Sequence, residues 1–311
     1  MTPPPFPLEH LLVVGALHVD DIATSQQVLV PRASNPVCRQ QRVGGVGANA
    51  ALAAARFARD NAQKLRQHIA FAGAIGTDPV AAQLEATLVE ADIIPCLQRL
   101  SGCLSGRYIA VMDATGELYI GLSDVALAES LDATLVPWQT DTNDCQAVLM
   151  DANLAEQALA ALSLQAGDAG IIQVAMSVSP AKSRRLLGIA SSLDLLFCNR
   201  REAIALAEAT FPIDAGIDQL ADALLKRGFR QFVLTDATSP VVIHSGEQRQ
   251  YVQVPAIDSA RSVNGAGDAL AGATFAAWCA GTELADAVRT VGLPYAERVV
   301  KGLHEAPILA M

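Results

Sequence analysis

Apolar residues in this chain cluster in short solid runs, and the runs alternate with stretches of helical periodicity. Residues 11–14 read Leu-Leu-Val-Val and stop at Gly15. A solid run of that length bounded by glycine marks a strand buried on both faces of a parallel sheet. Residues 69–72, 147–150, 170–174, 193–197 and 231–234 read the same way. Between them, 49–59, 79–90, 155–164, 180–190, 202–209 and 218–227 repeat their apolar positions at the helical period. Segments 28–30 and 37–43 look like shorter, more polar strands. Residues 107–112 and 117–120 flank Asp113-Ala114-Thr115-Gly116, which has the Asp and Gly that a tight hairpin turn favours.

Strands alternating with helices predict the α/β class, a doubly wound and mostly parallel sheet with helices on both faces. The polar early strands and the hairpin do not fit that layer. They are expected to form a small β-sheet lid, drawn from about 16–43 and 104–123. No internal repeat and no low-complexity linker divides the chain, so one domain over 1–311 is expected.

Composition narrows the classes. Apolar residues make up 51%. Even so, the densest stretch, 269–281, falls short of the roughly 18 residues a membrane span needs and reads as a buried helix. The 22 Lys and Arg against 32 Asp and Glu give a net charge of −10. Without a long basic run, neither a nucleic acid nor a membrane is an expected partner. The leader Met1-Thr-Pro-Pro-Pro-Phe-Pro7 has neither a basic start nor an apolar stretch, so a cytoplasmic location is expected. Six cysteines without C-x-x-C spacing and five histidines without H-x-x-x-H give no zinc site and no redox dithiol. They read as scattered free thiols.

In a doubly wound sheet, ligands bind beyond the carboxyl ends of the strands. Asn264-Gly265-Ala266-Gly267-Asp268 precedes the apolar helix. Its glycines allow a sharp turn that leaves main-chain N–H groups free for an anion, and Asp268 stands where it could take a proton from an attacking hydroxyl. The same residues also read as a plain helix cap. Gly44-Gly45-Val46-Gly47-Ala48-Asn49 opens the alanine-rich helix. Glycines there admit a ligand close to the backbone, and the Asn49 amide suits vicinal hydroxyls; the alternative is a glycine turn with an Asn cap. Gly45-x-Gly47-x-x-Ala50 mimics a dinucleotide fingerprint but does not directly follow the first strand, which argues against an NAD-dependent dehydrogenase. Asn199-Arg200-Arg201-Glu202 fits a capping box, or a carboxylate and amide that hold water on Mg²⁺ beside a nucleoside triphosphate. Asp20, Asp151 and Asn153 follow strands and alone are ordinary turn formers. No G-x-x-x-x-G-K-[ST] and no G-x-S-x-G occurs, so P-loop and serine-hydrolase chemistry lack support.

In order and approximate spacing, the Gly44–Asn49, Asn199–Glu202 and Gly265–Asp268 elements resemble those of the ribokinase-like (PfkB) carbohydrate kinases. Within that family the chain looks most like the pseudouridine kinases. Ser34-Asn35-Pro36, Thr115-Gly116-Glu117, Ser123-Asp124, Asn153 and Val263 carry that likeness. The resemblance implies a kinase that uses ATP and Mg²⁺ to phosphorylate a ribose-type hydroxyl, giving pseudouridine 5′-phosphate from pseudouridine. It makes Asp268 the catalytic base and Gly265, Ala266 and Gly267 the anion hole. Asp20, Gly44, Gly45, Asn49 and Asn153 would hold the acceptor. Asn199, Glu202, Thr235 and Asn264 would serve the donor, with Glu202 toward the metal.

A base beside a helix N-terminus is expected to have a depressed pKa. The hairpin alternates apolar residues on two faces. A bare outer face would invite a second lid and a homodimer.

The sequence also departs from the family pattern. Ser262 and Asn264 precede the glycine turn where threonines or an aspartate are usual. The loop Thr235-Asp236-Ala237-Thr238-Ser239-Pro240 has no glycine, and its acid would repel phosphate unless turned away or screened. Met176-Ser177-Val178-Ser179 stands where Asp-Pro is frequent, and His18 at a commonly amide position. These departures keep two alternatives in view: a kinase of a free sugar such as ribose or fructose, and a nucleoside- or sugar-binding homologue without transfer activity.

Overall fold

A computed structural model describes residues 7–63, 67–140, 143–207, 211–212, 214–257 and 264–303. The chain begins with β1 (His10–Val14), then β2 (His18–Ser25), β3 (Val37–Gly44), α1 (Val46–Asp60), β4 (His68–Ile75), α2 (Pro79–Glu90) and β5 (Ile93–Arg99). The hairpin is β6 (Gly106–Met112) and β7 (Leu118–Asp124), and a two-residue pair follows, β8 (Gln139–Thr140) and β9 (Asn143–Asp144). The central part runs β10 (Ala147–Asp151), α3 (Glu156–Asp168), β11 (Ile172–Met176), α4 (Pro180–Ser183), β12 (Leu195–Asn199), α5 (Arg200–Ala207) and α6 (Ile217–Lys226). It closes with β13 (Phe232–Thr235), β14 (Val241–Ser245), β15 (Gln248–Val252), α7 (Ala266–Cys279), α8 (Leu284–Ala287) and α9 (Leu293–Val300).

Among the described residues, nine strands form the main sheet in the order β15-β14-β13-β12-β11-β10-β1-β4-β5. Pairing is parallel from β13 to β5, and β14 and β15 add an antiparallel hairpin at one edge. Side chains alternate along a strand, so β1 sends Leu11 and Val13 into one core and Leu12 and Val14 into another. Both faces are covered, which is why this strand is apolar without interruption. Helix α7 is buried along nearly its whole length from Ala269 to Cys279, as expected of a helix apolar all round. It lies backbone against backbone on α1: a Cβ added at Gly272 would sit 2.0 Å from the Ala50 carbonyl oxygen. No helix among the described residues is long and apolar enough to cross a membrane.

The second sheet has the order β3-β2-β6-β7. Its first strand differs from expectation. Residues 28–30 are not a strand, and Val28 and Val30 are exposed; the strand is β2, which begins at His18, ten residues before 28. Asp20 and Asp21 broke the alternation that would have revealed it. β5, β14 and β15 also lie outside the expected set: polar residues dilute β5 and β15, and the apolar run of β14 is only three residues, Val241-Val242-Ile243. Strands β11 and β12 run two residues further than 170–174 and 193–197, so Asn199 ends its strand rather than following it. The expected helix 180–190 is α-helical only over Pro180–Ser183 and then tightens into a 3₁₀ turn, Arg184–Ser192.

Candidate functional site

Gly15 and Gly45 bracket the two strands that leave the main sheet for the small one, and both are fixed by contact. A Cβ at Gly15 would lie 2.4 Å from Asp151 Oδ2. Gly45 has φ +105°, and a Cβ there would lie 2.2 Å from the Ala16 carbonyl oxygen. Asp151 is buried and acts as the knot: its Oδ2 accepts from the N–H groups of Ala16 (2.9 Å) and Gly47 (2.7 Å), and its Oδ1 from Asn153 N–H (2.8 Å). Burial raises its pKa, and these hydrogen bonds work in the opposite direction. Asp151 therefore holds the start of α1 against the carboxyl end of β10.

Two helix N-termini then face each other. Asn49, in the first turn of α1, donates from Nδ2 to Asp268 Oδ2 at 2.9 Å. Gly265, at φ +81°, is the left-handed residue before α7, a conformation only glycine adopts cheaply. The first intrahelical bond of α7 runs from Ala269 N–H to Gly265 C=O (2.9 Å). The N–H groups ahead of it have no partner within the helix. A Cβ at Gly267 would meet nothing within 4 Å, so a ligand can reach that backbone.

The pKa of Asp268 departs from the expected depression. Burial pushes it up to about 7, and the charges of Asp151, Glu202 and Asp20 add to the rise, against the lowering by Asn49. Desolvation and three like charges outweigh the helix terminus, whose contribution amounts to only about 1 kcal/mol.

Beside this turn lies a cavity of about 380 Å³, with Asn264, Gly265 and Asn49 on one side and the inner face of the small sheet on the other. That inner face contributes Asp20, Gln40, Arg42 and Tyr108, with Ile22, Ala110 and Met112 between them. Asp20 Oδ1 pairs with His18 Nε2 at 3.2 Å. Gly44 makes room for it, since a Cβ there would lie 2.3 Å from Asp20 Oδ1. Arg42, Gln40 and Tyr108 were not among the expected site residues. Their signal was the alternation of β3 and β6, which sends positions 40, 42, 108, 110 and 112 to one face.

Asn199, Glu202 and Thr235 gather at the next strand ends. Asn199 and Thr235 are register partners on β12 and β13, and Thr235 Oγ1 is bonded to Cys198 C=O at 3.5 Å. The capping box is formed: Asn199 N–H donates to Glu202 Oε2 (2.8 Å) and Glu202 N–H to Asn199 Oδ1 (3.1 Å). Ser177 Oγ also donates to Oε2. Ser177 thus gives the Met176–Ser179 departure a function in holding this carboxylate. Glu202 is buried, and all its described hydrogen bonds as an acceptor fall on one oxygen. The acid of the 235–240 loop is screened: Arg200 pairs with Asp236 Oδ2 at 3.2 Å and also donates to Ala215 C=O. Asn153 is buried away from the cavity lining, its Oδ1 accepting from Lys182 Nζ at 2.8 Å. Ser262 and Val263 lie outside the described residues. All six cysteines are free, and no group of three or more His, Cys, Asp or Glu forms a metal cage among the described residues.

Comparison with known proteins places this geometry among related chains. A family model described as pfkB family carbohydrate kinase matches residues 8–292. Pseudouridine kinase from Escherichia coli (strain K12) is 22% identical over 287 residues, which span 90% of this chain and 87% of that protein. A carbohydrate kinase from Agrobacterium tumefaciens superposes with a TM-score of 0.79 at 27% identity, over 94% of this chain and 91% of that one. Ribokinase from Thermotoga maritima gives a TM-score of 0.79 at 20% identity, over 97% of both chains.

Proposed function

The chain belongs to the pfkB family of carbohydrate kinases, and from that premise we propose that it transfers the terminal phosphoryl group of ATP to the ribose 5′-hydroxyl of a nucleoside, pseudouridine above all. The observation that carries this reading is the contact between two helix N-termini in which Asn49, on the cavity wall, donates to Asp268 just behind it. One carboxylate and a row of free amides there meet the needs of phosphoryl transfer, in which positioning and charge stabilisation supply most of the rate.

In this reading Asp268 is the general base. A pKa of about 7 suits that task, since a base works best when its pKa lies near the working pH. It accepts the proton of the acceptor hydroxyl as that oxygen bonds to phosphorus. The N–H groups of Gly265, Ala266 and Gly267 receive the charge on the transferred oxygens. Asp20 and Asn49 bind the sugar hydroxyls, with Gly44 and Gly45 shaping the space they use. Asn153 acts from behind, through Asp151, and does not touch the acceptor.

Asn199, Thr235 and Asn264 line the donor side. Glu202 fits a role toward Mg²⁺, because a buried carboxylate with one oxygen uncommitted can hold metal-bound water, and Mg²⁺ is usually held by one or two carboxylates plus phosphates. When bound, the metal would neutralise phosphate charge. The pairing of Arg200 with Asp236 supports ATP binding despite the glycine-free loop.

We read the whole chain as one kinase domain with the small sheet as its lid, which excludes water that would otherwise compete as acceptor. The exposed side chains of Ile120 and Leu122 support pairing of two lids in a homodimer.

The test incubates the protein with ATP and Mg²⁺ against pseudouridine, uridine, adenosine, ribose and fructose, with phosphoester products identified by mass. Pseudouridine 5′-phosphate as the fastest-formed product supports the reading. Turnover of free sugars alone overturns the nucleoside assignment, and acceptor binding without ATP consumption overturns the kinase.

A further inference from the structure

Arg42 is a charged group placed on the inner lid face without a direct ion pair among the described residues. It stands opposite Asp20 in the β2–β3 register, and both line the cavity. Asp20, however, pairs with His18. Among the described residues no carboxylate lies within ion-pair distance of the guanidinium. Its terminal nitrogen donates to Gln40 Oε1 at 2.7 Å, and its Nε is buried without a partner. Burial lowers its pKa, and the charge of Asp20 only partly offsets this. A guanidinium has five N–H donors in a rigid fork. Burying the Nε donor without a partner costs free energy, which a bound ligand with a matching acceptor recovers.

The neighbours define what such a ligand must be. Asp20 and Tyr108 share the cross-strand row of Arg42, and Ile22, Ala110 and Met112 form an apolar strip in the next two rows of the same cavity wall. A free sugar reaching past Arg42 would turn hydroxyls onto the apolar strip and leave them without partners. A flat heterocycle offers apolar faces to the same wall and carbonyl oxygens at its edge. We propose that Arg42, oriented by Gln40, binds the carbonyl edge of a pyrimidine-type base on the acceptor, and so selects nucleosides over free sugars. This rests on the nucleoside-kinase reading above and names the residue that enforces it.

The test compares wild type with Arg42→Met, Arg42→Lys and Gln40→Leu on pseudouridine, uridine and ribose, with KM and kcat measured separately for acceptor and ATP. A charge-assisted hydrogen bond is worth roughly 1.5–3 kcal/mol, so Arg42→Met should raise nucleoside KM at least about ten-fold more than ribose KM. Lysine, a point charge without the fork, should recover only part of the loss. Gln40→Leu keeps the charge and loses its orientation, so its effect should be smaller and in the same direction. Calorimetric binding of pseudouridine without ATP should weaken in parallel, and a thermal melt guards against misfolding of any one variant.

Equal effects on ribose and nucleosides, or an unchanged nucleoside KM, overturn the assignment of Arg42 while the nucleoside reading stands. A wild-type protein inert to every nucleoside overturns both.

Discussion

Asn49 Nδ2 lies 2.9 Å from Asp268 Oδ2, a contact between residues 219 positions apart that joins the first turns of α1 and α7. It exists because those helices pack at backbone distance through Gly272 and because Asp151 clamps the start of α1. The same contact sets the chemistry of the carboxylate. Asn49 is the group that holds the Asp268 pKa down against burial and three neighbouring acids.

Replacing Asn49 by alanine removes that restraint. The pKa of Asp268 should rise further, and the acid limb of the pH–rate profile should move to higher pH. At pH 7 kcat should fall roughly three- to ten-fold, the worth of one hydrogen bond, with part of the loss recovered at pH 8.5. A profile superimposable on that of wild type would show that Asp268 is not the titrating base.

Arg200 and Asp236 form a second testable pair. With Arg200→Met the Asp236 carboxylate loses its screen beside the donor loop, so KM for ATP should rise roughly three- to ten-fold at low salt and less at high salt. Adding Asp236→Asn should restore it. Initial-rate kinetics on the single and double variants decide the matter, and a double variant as impaired as the single contradicts the screening.

The architecture was legible where the chemistry of a segment was uniform. β1 and α7 are apolar on every face because both faces are buried, and their runs are unbroken in the sequence. The glycine turns before α1 and α7 were legible because positive φ and close approach demand glycine. What was hidden had mixed demands. β2 carries Asp20 because one of its faces looks into a polar cavity and Asp21 because Arg39 and Arg107 pair with it on the other face, and that mixture erased its alternation. The alternation of β3 puts Arg42 and Gln40 on one face, but only its pairing with β2 shows that this face is the one toward the cavity. The Asp268 pKa was misjudged because local sequence displays the helix terminus and conceals the remote acids Asp20, Asp151 and Glu202.

The α1–α7 contact is a packing claim with a thermal readout. Gly272→Ala would force a methyl into the Ala50 carbonyl, an overpacking that typically costs about 1–3 kcal/mol. The melting temperature should drop by several degrees and activity should fall with it. Gly267→Ala, where space is open, should leave the melt within about 2 °C while impairing turnover. A scan that ranks the two variants the other way contradicts this packing.

The outer face of the lid has a predicted partner in a second copy of itself. Ile120 and Leu122 are exposed there, so the protein should scatter light as a dimer and the Ile120→Lys, Leu122→Lys variant as a monomer. A wild-type monomer at micromolar concentration would end the lid-pairing proposal without touching the kinase.

The most direct test is Asp268→Asn, read as kcat with saturating pseudouridine and ATP at pH 8. Asparagine keeps the shape and the Asn49 contact but takes no proton, so kcat should fall at least about 10²-fold, the lower range for a positioned base, with acceptor binding retained. The same variant has a stability signature. The folded pKa of about 7 lies above the unfolded value of about 3.9, so the Asp268 contribution to folding is lost as pH rises from 4 through 7. The variant, free of that loss, should melt higher than wild type at pH 8, by an amount that shrinks toward pH 4. A kcat within a few-fold of wild type at pH 8 would contradict the assignment of Asp268 as the base.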